Sequence, residues 1–167
     1  MVASSSGTQN DPNITIRKIE RAFDKLYRNI PDLKEKKFGN GQQFRYIFPE
    51  WEILDHRPNY SVYYEMNDWN RNGKAEIRID IQFWLEGFQE IGENIRQKKD
   101  IVAQKMPLQP TSIEWYINKN NPHLGRLQYC FPDSSNPEDI ALCMRVLIDE
   151  TRDVVNDWLR SKRMKHY

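Results

Sequence analysis

The stretch NYSVYYEMNDWNRNGKAEIRIDIQFW, residues 59–84, constrains the fold more than any other part of the chain. Val62, Tyr64 and Met66 alternate with Ser61, Tyr63, Glu65 and Asn67. After a polar turn, Ile77, Ile79, Ile81 and Phe83 alternate with Glu76, Arg78, Asp80 and Gln82. A period of two is the mark of strands buried on one face, so the stretch predicts a long antiparallel hairpin with one apolar and one charged face.

Two closures of this hairpin are conceivable. A two-residue turn at Asn72-Gly73, which this dipeptide favours, pairs Arg71 with Lys74 and sets Glu65 against Asp80. A four-residue loop from Asn70 to Gly73 instead pairs Trp69 with Lys74 and Glu65 with Arg78. The second is favoured here because it turns a like-charge contact into an ion pair. The registers differ by two residues, so neither changes which face a side chain occupies. Trp69 belongs with Tyr63, Glu65, Asn67, Arg78 and Asp80 on the polar face in both.

The flanking sequence supplies the rest of the layers. Ile16, Ile19, Phe23, Leu26, Tyr27 and Ile30 recur at three- and four-residue steps and predict a helix over 14–30, stopped by Pro31. PDLKEKKFGNGQQ reads as a charged loop, and FRYIF as a short strand ending at Pro49. After the hairpin, Phe88, Ile91, Ile95, Val102 and Met106 predict one helix over 85–106. SIEWYINKN and GRLQYCF read as two more strands. A closing helix carries Ile140, Met144, Leu147, Ile148, Thr151, Val155, Trp158 and Leu159, opened by the Ser, Asn and Pro of PDSSNPEDI. The expected order is α-β-β-β-α-β-β-α, an α+β domain with an antiparallel sheet of about five strands and three helices. Residues 14–167 form one domain, and residues 1–13, rich in Ser, Asn and Gly, a disordered lead-in.

Charge and motif content narrow the chemistry. Lys and Arg number 25 against 24 acids among 167 residues, so no global field draws the chain to nucleic acid or to an acidic membrane. The sequence shows neither a secretory signal nor an apolar run long enough to span a bilayer, and the expectation is a soluble cytoplasmic protein. Cys130 and Cys143 read as reduced core residues. His56, His123 and His166 are scattered, no CxxC pair exists, and FGNGQQF lacks the features of a phosphate-binding loop, so neither metal nor cofactor is expected.

A PD-(D/E)XK nuclease site needs an acid on one strand and an acid-x-Lys on the next. Asp32 with Glu35 and Lys37 is spaced too tightly for that. Glu76-x-Arg78, with Glu65 and Asp80 on the same face, has Arg where Lys belongs. Basic residues cluster in NIRQKKD (Arg96, Lys98, Lys99) and RSKRMKHY (Arg160, Lys162, Arg163), both read as helix C-terminal halves and as candidate phosphate contacts.

The succession AEIRIDIQFW, FQEIGENIRQKKDIVAQKM, IEWYINKN, GRLQYCF and VVNDWLR resembles, over roughly residues 59–160, a bacterial domain of unknown function that is often appended to PD-(D/E)XK-type nuclease domains. The resemblance implies an accessory α+β module in restriction or phage defence, with no catalytic residues to carry over. The leading expectation is a non-enzymatic binding module that engages a protein or protein–nucleic acid complex through the hairpin tip and polar sheet face. Trp69 is the anchor, Arg71 and Lys74 are its charged neighbours, and Tyr63 and Arg78 lie on the adjoining face. The competing class is a nucleic-acid binder or divergent metal-dependent nuclease using Glu65, Glu76 and Asp80. A homodimer joined through the sheet is a third arrangement.

Overall fold

A computed structural model of the chain describes residues 12–27, 30–38, 43–52, 61–71, 73–84, 88–121 and 124–164. Its elements are α1 (Pro12–Tyr27), β1 (Lys34–Phe38), β2 (Gln43–Ile47), the single-turn α2 (Pro49–Glu52), β3 (Ser61–Arg71), β4 (Lys74–Trp84), α3 (Phe88–Arg96), α4 (Lys99–Lys105), β5 (Ser112–Ile117), β6 (Leu124–Pro132) and α5 (Pro137–Met164). The strands form one antiparallel sheet in the order β1-β2-β3-β4-β6-β5. The expected α+β layering is present, with six strands rather than about five.

The register converts sequence alternation into rows that cross the sheet. Tyr46, Tyr64, Ile81, Leu127 and Trp115 are partners along one row, and Phe44, Met66, Ile79, Tyr129 and Ile113 along another two positions away. Both rows lie on the face that carries the helices. Phe23 of α1 meets Tyr46 with ring centroids 4.8 Å apart, Trp51 of α2 meets Tyr64 at 5.6 Å, and the Tyr129 hydroxyl donates to the Lys99 carbonyl of α4. From α5, Thr151 reaches Tyr64 at 2.8 Å. The apolar stripe expected for α5 is buried throughout, and Asn136 Oδ1 caps the helix by accepting from the Glu138 and Asp139 amides.

Four expectations are corrected. The charged segment after Pro31 is not wholly loop, because Lys34–Phe38 pairs with β2 as an edge strand. Its charged residues tolerate that position since one of its edges faces no other strand of the sheet. The helix expected over 85–106 breaks at Gln97 and Lys98, where the Lys98 amide bonds the Ile95 carbonyl in a tighter turn. Residues 96–100 are all polar and Ile101 is 43% exposed, so nothing holds the stripe through this point. Lys99 therefore opens α4 instead of lying in a helix C-terminal half. The first helix begins at Pro12, inside the expected lead-in, and Leu26 is 48% exposed rather than core. Proline suits a first helical position, where its missing amide leaves no bond unmade.

The fourth correction is the hairpin register. Arg71 pairs with Lys74 and Glu65 with Asp80, so the closure is the two-residue turn, with Gly73 at φ 77°. The like-charge contact that argued against it is resolved by a third residue. Arg78 lies diagonally between the carboxylates, with Nη2 3.2 Å from Glu65 Oε1 and Nε 2.8 Å from Asp80 Oδ2.

Candidate functional site

Between the two apolar rows, and on the opposite face, runs a polar row: Arg45, Glu65, Asp80, Gln128 and Glu114 are successive partners across five strands. The contacts of all five helices described above, or their share in the core, place them on the other side. Yet Glu65, Asn67, Arg78, Asp80 and Gln128 are all buried. The contacts of this row fall into two segments, one around Glu65, Arg78 and Asp80 and one joining Gln128 to Glu114. Arg45 Nε donates to Glu65 Oε2 at 2.7 Å, Asn67 reaches Glu65 Oε1 at 3.4 Å, and Gln128 Nε2 donates to Glu114 Oε2 at 2.8 Å. Arg45 also lies over the Tyr63 ring at 4.5 Å, while the Tyr63 hydroxyl donates to Gln82.

Asp80 is the unusual member. Burial pushes its carboxyl up to about 7; Glu65 pushes the same way, while Arg78, Gln82 and Arg126 pull against it. Asp80 Oδ1 and Gln128 Oε1, on directly paired residues, are both buried with no hydrogen-bond partner. A proton on Asp80 would supply a donor between these two acceptors.

The expected partner-binding residues divide into two groups. Tyr63 and Arg78 are 7% and 3% exposed and committed to this network, so the Arg78 guanidinium is held by carboxylates and not offered to solvent. Lys74 is exposed at the hairpin tip. The backbones of Trp69 and Arg71 pair with Glu76 and Lys74, but the side chains of Trp69 and Arg71 lie outside the described residues.

The tip itself has a definite geometry. Pairing of β2 with β3 ends at Asn67, and pairing of β6 with β4 ends at Glu76. Among the described residues, 68–71 and 74–75 are therefore laddered only to each other, apart from one bond from the Asp133 amide to the Ala75 carbonyl. Asn70, Gly73, Lys74 and Ala75 on this overhang are exposed.

Two of the candidate phosphate contacts are engaged on their own helices. Arg96 pairs with Glu93 and Arg160 with Asp157, each one helical turn away on its own helix. The side chains of Lys162 and Arg163, like His56, His123 and His166, are outside the described residues. A basic face that the sequence reading missed lies on α1, where Arg17, Lys18, Arg21 and Lys25 are exposed. Its signal was the four-residue spacing of Arg17, Arg21 and Lys25, opposite the apolar stripe.

The nuclease geometry is also not assembled. Glu65 and Asp80 are adjacent, but Arg78 occupies the space between them, and Glu76 sits four residues further along β4, about 13 Å away. Among the described residues no group of three His, Cys, Asp or Glu side chains could hold a metal ion. Cys130 and Cys143 are free and buried, and burial raises both thiols, that of Cys143 to about 11. Cys130 pairs with Arg78 on the polar face while Cys143 belongs to α5 on the other, so the sheet separates them. No described helix is long and apolar enough to cross a membrane. Neither a known family model, nor a curated protein, nor a solved structure matches the chain.

Proposed function

We propose that this protein is a non-enzymatic binding module that engages a protein, or a protein–nucleic acid complex, through the tip of the β3–β4 hairpin. The overhang carries the reading: among the described residues, 68–71 and 74–75 ladder only with each other apart from the Asp133–Ala75 bond, and Asn70, Gly73, Lys74 and Ala75 are exposed to a partner. Its base is fixed by the Arg45–Glu65–Arg78–Asp80 network. A tip held in this way gives up little conformational freedom on binding, which raises affinity without additional contacts. In this reading the polar sheet face stiffens the ribbon, and Trp69, Arg71 and Lys74 make the contact.

Affinity capture from cells of origin, with and without nuclease treatment, tests it with Trp69→Ala and Lys74→Glu beside the wild type. The expected result is a protein retained after nuclease and weakened by Trp69→Ala by about 2 kcal/mol, roughly thirtyfold, at unchanged melting temperature. Recovery of nucleic acid alone, indifferent to both substitutions, would overturn the reading and turn attention to the basic face of α1.

A further inference from the structure

The two outer strands of the sheet are built differently. β1 reads KEKKF, with four charged residues in five, the usual device for keeping an exposed edge from pairing with another chain. β5 reads SIEWYI, with one charge, no lysine and no proline, and its last two residues, Tyr116 and Ile117, are 45% and 44% exposed. Glu114, the one charge, is turned inward and held by Gln128 Nε2.

The bonding pattern shows which backbone groups the β5 edge offers. Asn118 donates its amide to the Leu124 carbonyl, which makes that pair a hydrogen-bonded one. Antiparallel ladders alternate, so Tyr116, Glu114 and Ser112 also bond toward β6, and the amides and carbonyls of Ile113 and Ile117 are directed outward.

We infer that β5 pairs with β5 of a second copy of this chain, antiparallel about a two-fold axis at Trp115. That register sets Ile113 against Ile117 of the other copy on the helix-bearing face. It sets Glu114 against Tyr116, and Ser112 against Asn118, on the polar face. No like charges are opposed. Moving the axis one residue back, onto Glu114, would place two carboxylates directly opposite each other, a contact that the axis at Trp115 avoids. The pairing is isologous and closed, as two-fold interfaces are. The axis stands perpendicular to the sheet, so the helices of both copies lie on the same side and the two β3–β4 tips point in opposite directions. Such a dimer holds two partner molecules apart and does not grip one molecule twice.

Sedimentation velocity of the full chain at low and high micromolar concentration tests the inference. Ile117→Pro is the informative variant, because it removes an outward amide and no bond to β6, and proline is tolerated on an edge strand. Ile117→Lys is the second, adding a charge to the same edge. The expected result is a wild-type dimer that dissociates on dilution, with self-association at least about tenfold weaker in both variants and their circular dichroism unchanged. A wild type that stays monomeric at high concentration, or a dimer that both variants retain, would overturn the inference.

Discussion

The two faces of this sheet are both buried at their centres but are held together by different physics. On the helix-bearing face, Tyr64, Ile79, Ile81 and Tyr129 are withdrawn from water by α1, α2, α4 and α5, and their burial is favourable in itself. On the polar face Glu65, Arg78 and Asp80 are just as buried, but removing charges from water costs free energy that only their mutual contacts offset. The first face is a sum of many small, interchangeable contacts. The second depends on the balance of charge around Arg78, and so the two should respond to substitution in different ways.

Arg78→Met breaks the comparison most sharply. It leaves Glu65 and Asp80 opposed on neighbouring strands without the cation between them, and the expected loss is about 3–5 kcal/mol by denaturant titration. Adding Glu65→Gln and Asp80→Asn to Arg78→Met removes the stranded charges and should recover most of that loss. If Arg78→Met costs no more than an Ile79→Val change on the apolar face, about 1 kcal/mol, the network is not what holds the polar face.

Asp80→Asn probes the same network through pH. The Asp80 carboxyl titrates higher in the folded chain than at its ordinary value near 4, so the folded state binds the proton more tightly than the unfolded state. Its contribution is therefore full at low pH and is lost as pH rises from about 4 through about 7. Asparagine mimics the protonated form at every pH, and its amide can donate to Gln128 Oε1. The variant should be more stable than wild type at pH 8, by about 2 kcal/mol, with the difference shrinking as pH falls toward 5. A wild-type stability profile that is flat between pH 5 and 8 would show that Asp80 stays ionised throughout.

The contrast between the faces also explains what the sequence disclosed. Strict alternation in 62–66 and 76–83 placed the side chains of those residues on their correct faces, because alternation depends only on backbone geometry. The register was misjudged because pairwise charge counting considered Glu65 with Asp80 or with Arg78, whereas the folded hairpin uses all three at once. That bridge is a diagonal contact, invisible to a rule about directly opposed residues. β1 was missed for a related reason, since four charges in five residues suppress any apolar signal and an outer strand needs little of one. Trp51, fully buried with its indole donating to Asn156 on α5, was passed over because its single-turn helix is too short to show a period. The burial of Arg78 was not legible at all. A charged residue at an alternate strand position looks the same in sequence whether water or a carboxylate pair receives it.

Tyr64→Phe gives the smallest effect and defines the apolar face's own limit of tolerance. Thr151 donates its hydroxyl proton to the Leu147 carbonyl at 2.6 Å, so in its 2.8 Å contact with Tyr64 it must be the acceptor and the phenol the donor. Removing the phenol oxygen leaves Thr151 with its own donor bond intact and strands only one acceptor lone pair. The ring keeps its packing against Trp51 and Phe48. The expected cost is about 1 kcal/mol, a fall of roughly 2–4 °C in melting temperature for a domain of this size, independent of pH across the range where Asp80 titrates. A loss approaching that of Arg78→Met would mean that the Tyr64–Thr151 bond fixes the placement of α5 on the sheet, and that the apolar face too depends on a single polar contact.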